Sequence, residues 1–274
     1  MPTTSDARKT NTYWGRDALD ARILDALAAA GKDVNALTID DLAPADQFHS
    51  GGKPATLRLA RLAGLKPGTR VLDVGGGLGG PARTLASEFG CRVTLVDLTE
   101  SYVRAGAALT ARLGLADRVT HRVGDALALD VEGQAFDVVW TQNSGMNIGD
   151  KERLYAGFAR CLGPGALLAL QEPMAGPVEP VVYPLMWARD ASMSFLRVPE
   201  EMRAVIEAAG FRPRAWEDVT LELPGPSAAS AIPAYAIQRI VMGDALEEIT
   251  RSGARNREER RIVMMQGVFE RSSA

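Results

Sequence analysis

Residues 73–80 read Asp-Val-Gly-Gly-Gly-Leu-Gly-Gly, a run whose types and spacing suit a nucleotide-like ligand. Glycine lets the backbone turn tightly and approach a ligand without interference from a Cβ. Gly75, Gly77 and Gly80 satisfy G-x-G-x-x-G, a spacing that also serves to set a dinucleotide pyrophosphate at a helix N-terminus. The glycines therefore suit more than one cofactor. Asp73 separates them, because a carboxylate two residues ahead of the first glycine repels a phosphate and attracts an ammonium. A charge-assisted hydrogen bond of this kind contributes about 1.5–3 kcal/mol, enough to discriminate.

S-adenosylmethionine carries an ammonium and no phosphate, so Asp73 favours it over NAD(P). Asp97 follows about twenty residues beyond the glycines, where a carboxylate can accept hydrogen bonds from both hydroxyls of a ribose. Gly124-Asp125-Ala126 brings a third carboxylate, suited to accept a proton from an adenine amino group. A single Asp at a strand end is more often a turn or cap residue. Three at successive strand ends point to one nucleoside ligand.

Those positions require strands that end side by side, and the hydrophobic pattern supplies them. Strand patterns fall at residues 70–74, 91–97, 118–123, 136–142, 166–172, 211–219 and 261–270, and amphipathic helical stretches at 81–89, 100–114, 150–162 and 199–210. This alternation predicts an α/β fold: a Rossmann-like, seven-stranded, mostly parallel sheet with helices on both faces. Residues 1–53 form an N-terminal helical lid segment and residues 54–274 the catalytic domain. A helical insertion at about 222–255, before the last strand, either caps the pocket or meets a second copy in a homodimer.

The chain has 274 residues, 46% hydrophobic and 24% charged, with a formal net charge of -3. That balance offers no basic footprint for nucleic acid. No apolar run approaches a membrane span and the N-terminus lacks the core of a signal peptide, so the expectation is a cytoplasmic protein. Two cysteines, Cys91 and Cys161, and two histidines, His49 and His121, supply no zinc-ligand cluster, and no metal site is expected.

On these motifs the chain resembles the class I S-adenosylmethionine-dependent methyltransferases, and within them the sarcosine/dimethylglycine and ubiquinone/menaquinone groups. The resemblance covers roughly residues 45–220. It implies that Asp73, Gly75 and Gly77 hold the methionine moiety, that Asp97 and Leu98 hold the ribose, and that Asp125 holds the adenine. Residues 46–65, DQFHSGGKPATLRLARLAGL, resemble the lead-in that closes over the cofactor in the sarcosine/dimethylglycine type. Residues 140–151, WTQNSGMNIGDK, resemble that group's loop after strand four, which implies that Gln142 faces the methionine end. Relatives often carry His or Asp where this chain has Asn143, and Asn is no general base near neutral pH.

The acceptor side is less legible. His49, next to Gly51 and Gly52, either takes a proton from the acceptor or orders the loop over the cofactor. Residues 172–196 are too irregular for one helix and suit a loop over a pocket, so Asn143, Met146, Met174, Tyr183 and Trp187 are candidate acceptor contacts, with Met186 and Phe195 beside them. Glu172 and Asp190 are either cation binders or caps, and His121, within a strand, is structural. The expected activity is methyl transfer by in-line displacement to a small molecule, with N-methylation ahead of O- or C-methylation of an aromatic, quinol or other apolar metabolite. An NAD(P)-dependent oxidoreductase and a non-catalytic cofactor-binding module are the alternatives.

Overall fold

The computed structural model describes residues 13–16, 18–131, 135–225 and 229–272. Residues 1–12 and 17 of the expected lid and residues 226–228 of the expected insertion lie outside them.

Alternation of apolar residues builds the sheet from its centre. In β1 (Arg70–Val74), Val71 enters one face among Leu59, Leu85 and Trp140, whereas Leu72 and Val74 enter the other among Val139, Tyr155 and Phe158. A strand buried on both faces is the mark of a parallel sheet covered by helices. β2 (Arg92–Asp97), β3 (Val119–Val123), β4 (Phe136–Gln142) and β5 (Leu162–Ala175) run parallel to it, while β7 (Ile262–Arg271) pairs antiparallel with both β5 and β6 (Phe211–Asp218). The order is β3-β2-β1-β4-β5-β7-β6, so seven strands form one Rossmann-like sheet as expected. β5 is longer than its apolar pattern, because pairing with β7 runs from Leu167↔Glu270 to Ala175↔Ile262, beyond the last β4 pair, Gln142↔Gln171.

The helices are α1 (Leu19–Ala29), α2 (Ile39–Asp46), α3 (Gly52–Leu62), α4 (Gly80–Glu88), α5 (Glu100–Arg112), α6 (Lys151–Arg160), α7 (Pro199–Ala208), α8 (Ile237–Met242) and α9 (Leu246–Glu258). Leu19, Ile23 and Leu27 recur every four residues along one face of α1 and pack with Leu42, Leu78, Tyr102, Leu109, Ile237 and Val241. α1 and α2, before the sheet, and α8, inserted between β6 and β7, thereby share one apolar cluster with Leu78 of the glycine turn. The end of α2 is tied down by a buried ion pair, Arg83 Nη2 to Asp46 Oδ2 at 2.7 Å, and Arg83 Nη1 also donates to Thr110 Oγ1 at 2.8 Å. Among the described residues no helix is long and apolar enough to cross a membrane, and no His, Cys, Asp and Glu cluster could hold a metal ion.

Strand order reverses between β1 and β4, and in such sheets ligands bind beyond the carboxyl ends of the strands at that switch point.

Candidate active site

A cavity of about 690 Å³ lies at that switch point. The turn after β1 forms its floor, with Gly75 at φ +75° and Gly77 at φ +55°. A Cβ on Gly75 would sit 2.3 Å from the Ser144 Cβ, and one on Gly76 2.6 Å from Asp73 Oδ2, so no side chain fits either position. Gly80, the last glycine of the motif, has ordinary φ but lies against the backbone of Asp46, where a Cβ would meet the carbonyl oxygen at 2.6 Å.

Asp73 is buried, and its Oδ2 has no hydrogen-bond partner. Burial, reinforced by the nearby Asp97 charge, pushes its carboxyl up to about 8. The Asp97 carboxylate takes the Gly77 N–H at 2.9 Å and the Thr99 N–H at 2.8 Å, which locks the turn to the end of β2, and burial raises its pKa as well. Asp125 accepts the Leu127 N–H at 2.8 Å and caps the short turn Ala126–Ala128. Leu98, Gly124 and Ala126 line the same wall. Tyr102, buried beside Trp14 and Phe48, leaves its hydroxyl without a partner. This end of the cavity presents carboxylates and a bare hydroxyl, with the exposed Arg153 turned to the Leu127 carbonyl at 3.1 Å. The arrangement suits a cationic, hydroxyl-rich ligand and is unsuited to a pyrophosphate.

A hydrogen-bond chain joins the lid to the sheet. Trp140 Nε1–H can only donate, and it donates to Gln142 Oε1 at 3.1 Å, where the Thr56 hydroxyl also donates at 3.1 Å. The Gln142 amide is thereby oriented, and its Nε2 is left buried without an acceptor at the cavity. His49 borders the cavity too, yet its Nε2 lies 2.8 Å from Gln47 Oε1 and its Nδ1 3.2 Å from the Ser50 carbonyl. Gln47 Nε2 donates to Thr84 Oγ1, whose own proton goes to the Gly80 carbonyl, so the Gln47 oxygen faces the ring; with the Ser50 carbonyl at Nδ1, the neutral ring donates to one of two acceptors. Burial lowers the His49 pKa to about 4. The ring is neutral and engaged within the loop.

Asn143 adopts φ +52° and bridges lid and sheet, its Oδ1 accepting from Gln171 Nε2 at 3.1 Å and its Nδ2 facing Ser50 Oγ at 3.4 Å. Met146 and Trp187 line the cavity with Asn143, but two of the five candidate acceptor contacts do not. Met174 is drawn into the main core because β5 continues past Glu172, and Tyr183 packs behind Met146 and Trp187. Glu172 accepts the Ser144 and Gly145 N–H groups at 3.1 and 2.8 Å, and Asp190 accepts the Ser192 N–H at 2.8 Å. Both cap turns. His121 bonds Thr110 within the fold. Sequence reasoning missed Trp14, Phe48 and Tyr102, which meet only through tertiary packing, and Leu223, Ile232, Ile249, Thr250 and Arg257 from the insertion. The 3.6-residue spacing of Ile249, Gly253 and Asn256 along α9 was the one available signal.

Residues 71–165 match a family model described as a methyltransferase domain. The chain is 33% identical over 132 residues to a glycine/sarcosine/dimethylglycine N-methyltransferase of Actinopolyspora halophila, covering 48% of this chain and 23% of that one. It is 29% identical over 211 residues to a sarcosine/dimethylglycine N-methyltransferase of Halorhodospira halochloris, covering 75% and 73%. For several curated relatives the matched region spans under a third of the relative's length. In fold it is similar to the Haemonchus contortus phosphoethanolamine N-methyltransferase 2 solved with S-adenosyl-L-methionine, with TM-score 0.67 and 22% identity over 86% of this chain and 58% of that one. Residues 71–165 carry a methyltransferase domain, and the chain is similar to the class I, S-adenosylmethionine-dependent methyltransferases of the sarcosine/dimethylglycine group.

Proposed function

We propose that the protein transfers the methyl group of S-adenosylmethionine to an amine of a small, largely apolar acceptor. The observation that carries this reading is the buried Asp73 carboxylate, whose unpartnered Oδ2 sits at the glycine turn of a nucleoside-sized cavity. An ammonium is the partner that would offset its burial. Asp73 takes that ammonium, Gly75 and Gly77 admit the methionine moiety, and the spare Gln142 Nε2–H takes an oxygen of the same moiety. Asp97 and Leu98 hold the ribose, and Gly124, Asp125 and Ala126 hold the adenine. Residues 1–53 act as the lid and residues 222–255 as the cap of residues 54–274.

Bound there, S-adenosylmethionine supplies a methyl group already activated on its sulfonium. The protein's task is then to align the acceptor and exclude water, and orientation of this kind contributes about 7–11 kcal/mol. Trp187, Met146 and Asn143 border the acceptor end and would set the approach. No strong base lines that end: burial lowers the His49 pKa to about 4 and its ring nitrogens face Gln47 and Ser50, and the Asn143 amide takes no proton near neutral pH. A neutral amine attacks without help and releases any surplus proton to solvent afterwards. The apolar lining also favours an electron-rich carbon, which likewise attacks without prior deprotonation. A turnover screen with labelled cofactor over amines, phenols, quinols and alkenes tests this. Transfer to amines is expected, and transfer confined to phenols would refute the base-free reading.

A further inference from the structure

The C-terminal half of α9 and the residues after it carry five arginines, and four of them have carboxylate partners. Arg251 meets Glu247 at 2.9 Å, Arg255 meets Glu259 at 2.9 Å, Arg260 meets Asp218 at 2.6 Å, and Arg261 meets Glu259 at 2.5 Å. Among the described residues Arg257 is the exception, with no carboxylate within ion-pair distance. It lies on the same helical stripe as Ile249, Thr250, Gly253 and Asn256, and that stripe faces the cavity. Its Nη2 donates to the Leu223 carbonyl at 2.9 Å, and its guanidinium lies against Gly225, where a Cβ would come within 2.3 Å of Nη1. Glycine at 225 makes room for the head group. The cavity lining on this side includes the apolar Leu223, Pro224, Ile232, Pro233, Ile249 and Met264 together with the polar Thr220, Thr250 and Asn256. Of the two arginines lining the cavity among the described residues, Arg153 is exposed and belongs to the Asp125 end, whereas Arg257 is half-buried in the cap.

A guanidinium offers five donors, and at Arg257 one backbone carbonyl accounts for a single donor. An ion partly removed from water beside apolar surface is stabilised by a counter-charge, and the planar fork of arginine suits a carboxylate or a phosphate. We infer that Arg257 is the recognition point for an anionic head group on the methyl acceptor, whose apolar body lies along the wall of the cap. The acceptor is thus amphiphilic, with its anion held in the cap and its nucleophile directed to the opposite, carboxylate-lined end. This rests on the reading of the cavity as shared by cofactor and acceptor.

The test is calorimetric titration of the full chain, saturated with S-adenosylhomocysteine, with decanoate, decyl phosphate and decanol. The charged heads are expected to bind at least about tenfold more tightly than decanol. Arg257→Gln, which keeps a donor for Leu223, should erase that preference and leave decanol affinity unchanged. Arg257→Lys should retain part of it, and this variant replaces the first if Arg257→Gln does not fold. Tighter binding of decyl phosphate assigns a phosphate head and tighter binding of decanoate a carboxylate; either supports the assignment. Equal affinity of the wild type for all three, or a preference that survives Arg257→Gln, overturns it. Loss of S-adenosylhomocysteine binding with the preference intact would overturn the cofactor reading alone.

Discussion

Asp73→Asn should strengthen the empty protein and weaken its hold on the cofactor, two effects of opposite sign from one neutral, isosteric change. The Asp73 carboxyl moves from an ordinary value of 3.8 to about 8 in the fold because burial, then the Asp97 charge, disfavours the anion. An acid with a raised folded pKa contributes stability that is fully present below the unfolded value and lost as pH rises through the folded one. Its window is therefore pH 4 to 8. At about 1.4 kcal/mol per pH unit, the group costs the empty fold roughly 4 kcal/mol at pH 7, an upper bound that Asn removes. With cofactor bound, the lost ammonium–carboxylate contact is worth about 1.5–3 kcal/mol, or roughly a 10- to 150-fold rise in Kd. Thermal melts without ligand should show the variant higher by several degrees at pH 7.5. Titration with S-adenosylmethionine from pH 6 to 8 should show wild-type affinity rising toward tenfold per unit as Asp73 ionises, and a flat profile for the variant. Unchanged affinity in the variant, or a variant profile that keeps the wild-type slope, would refute the pairing.

Because burial lowers the His49 pKa to about 4, kcat at saturating cofactor should show no acidic limb between pH 5.5 and 7.5, and His49→Ala should raise the cofactor KM more than it lowers kcat; steady-state kinetics across that range checks both. Asp46→Ala leaves Arg83 charged and fully buried, so a loss of about 3–5 kcal/mol is expected as a lower urea midpoint, and a change below 1 kcal/mol would mean that Arg83 finds other partners. Gly76→Ala puts a methyl within 2.6 Å of Asp73 Oδ2 and 2.5 Å of Leu95 Cδ1, which should cost about 1–3 kcal/mol and abolish detectable cofactor binding while circular dichroism stays native.

Strands and the glycine turn were legible because their signals are local. Short apolar runs buried on both faces mark β1 and β4 to the residue, and the three aspartates stand at strand ends that the topology makes adjacent. The acceptor side was not legible for two different reasons. Met174 reads as a loop residue only if β5 stops at Glu172, and what extends the strand is β7, whose pairing lies about ninety residues away in sequence. His49 reads as a base from its type alone, whereas burial holds the ring neutral and Gln47 and Ser50 face its two nitrogens. Trp14, Phe48 and Tyr102 converge from three separate segments, and no periodicity links them.

The same burial that makes Asp73 selective also couples the lid to the ligand. Gln47, His49 and Thr56 connect the lead-in to Gln142, Arg83 clamps Asp46 beneath it, and Gly80 packs against the Asp46 backbone. Closed and empty, this assembly holds a carboxyl that is neutral at pH 7, together with an unsatisfied Gln142 amide and Tyr102 hydroxyl. Each unmade hydrogen bond costs the closed state about 1–3 kcal/mol. A ligand that satisfies all three groups lowers the free energy of the closed form by more than that of any open form in which water already satisfies them. By linkage, the affinity of the site and the closure of the lid are one free energy. Weakening the lid at His49 and neutralising Asp73 should therefore combine non-additively in cofactor affinity, since each acts through the same closed state.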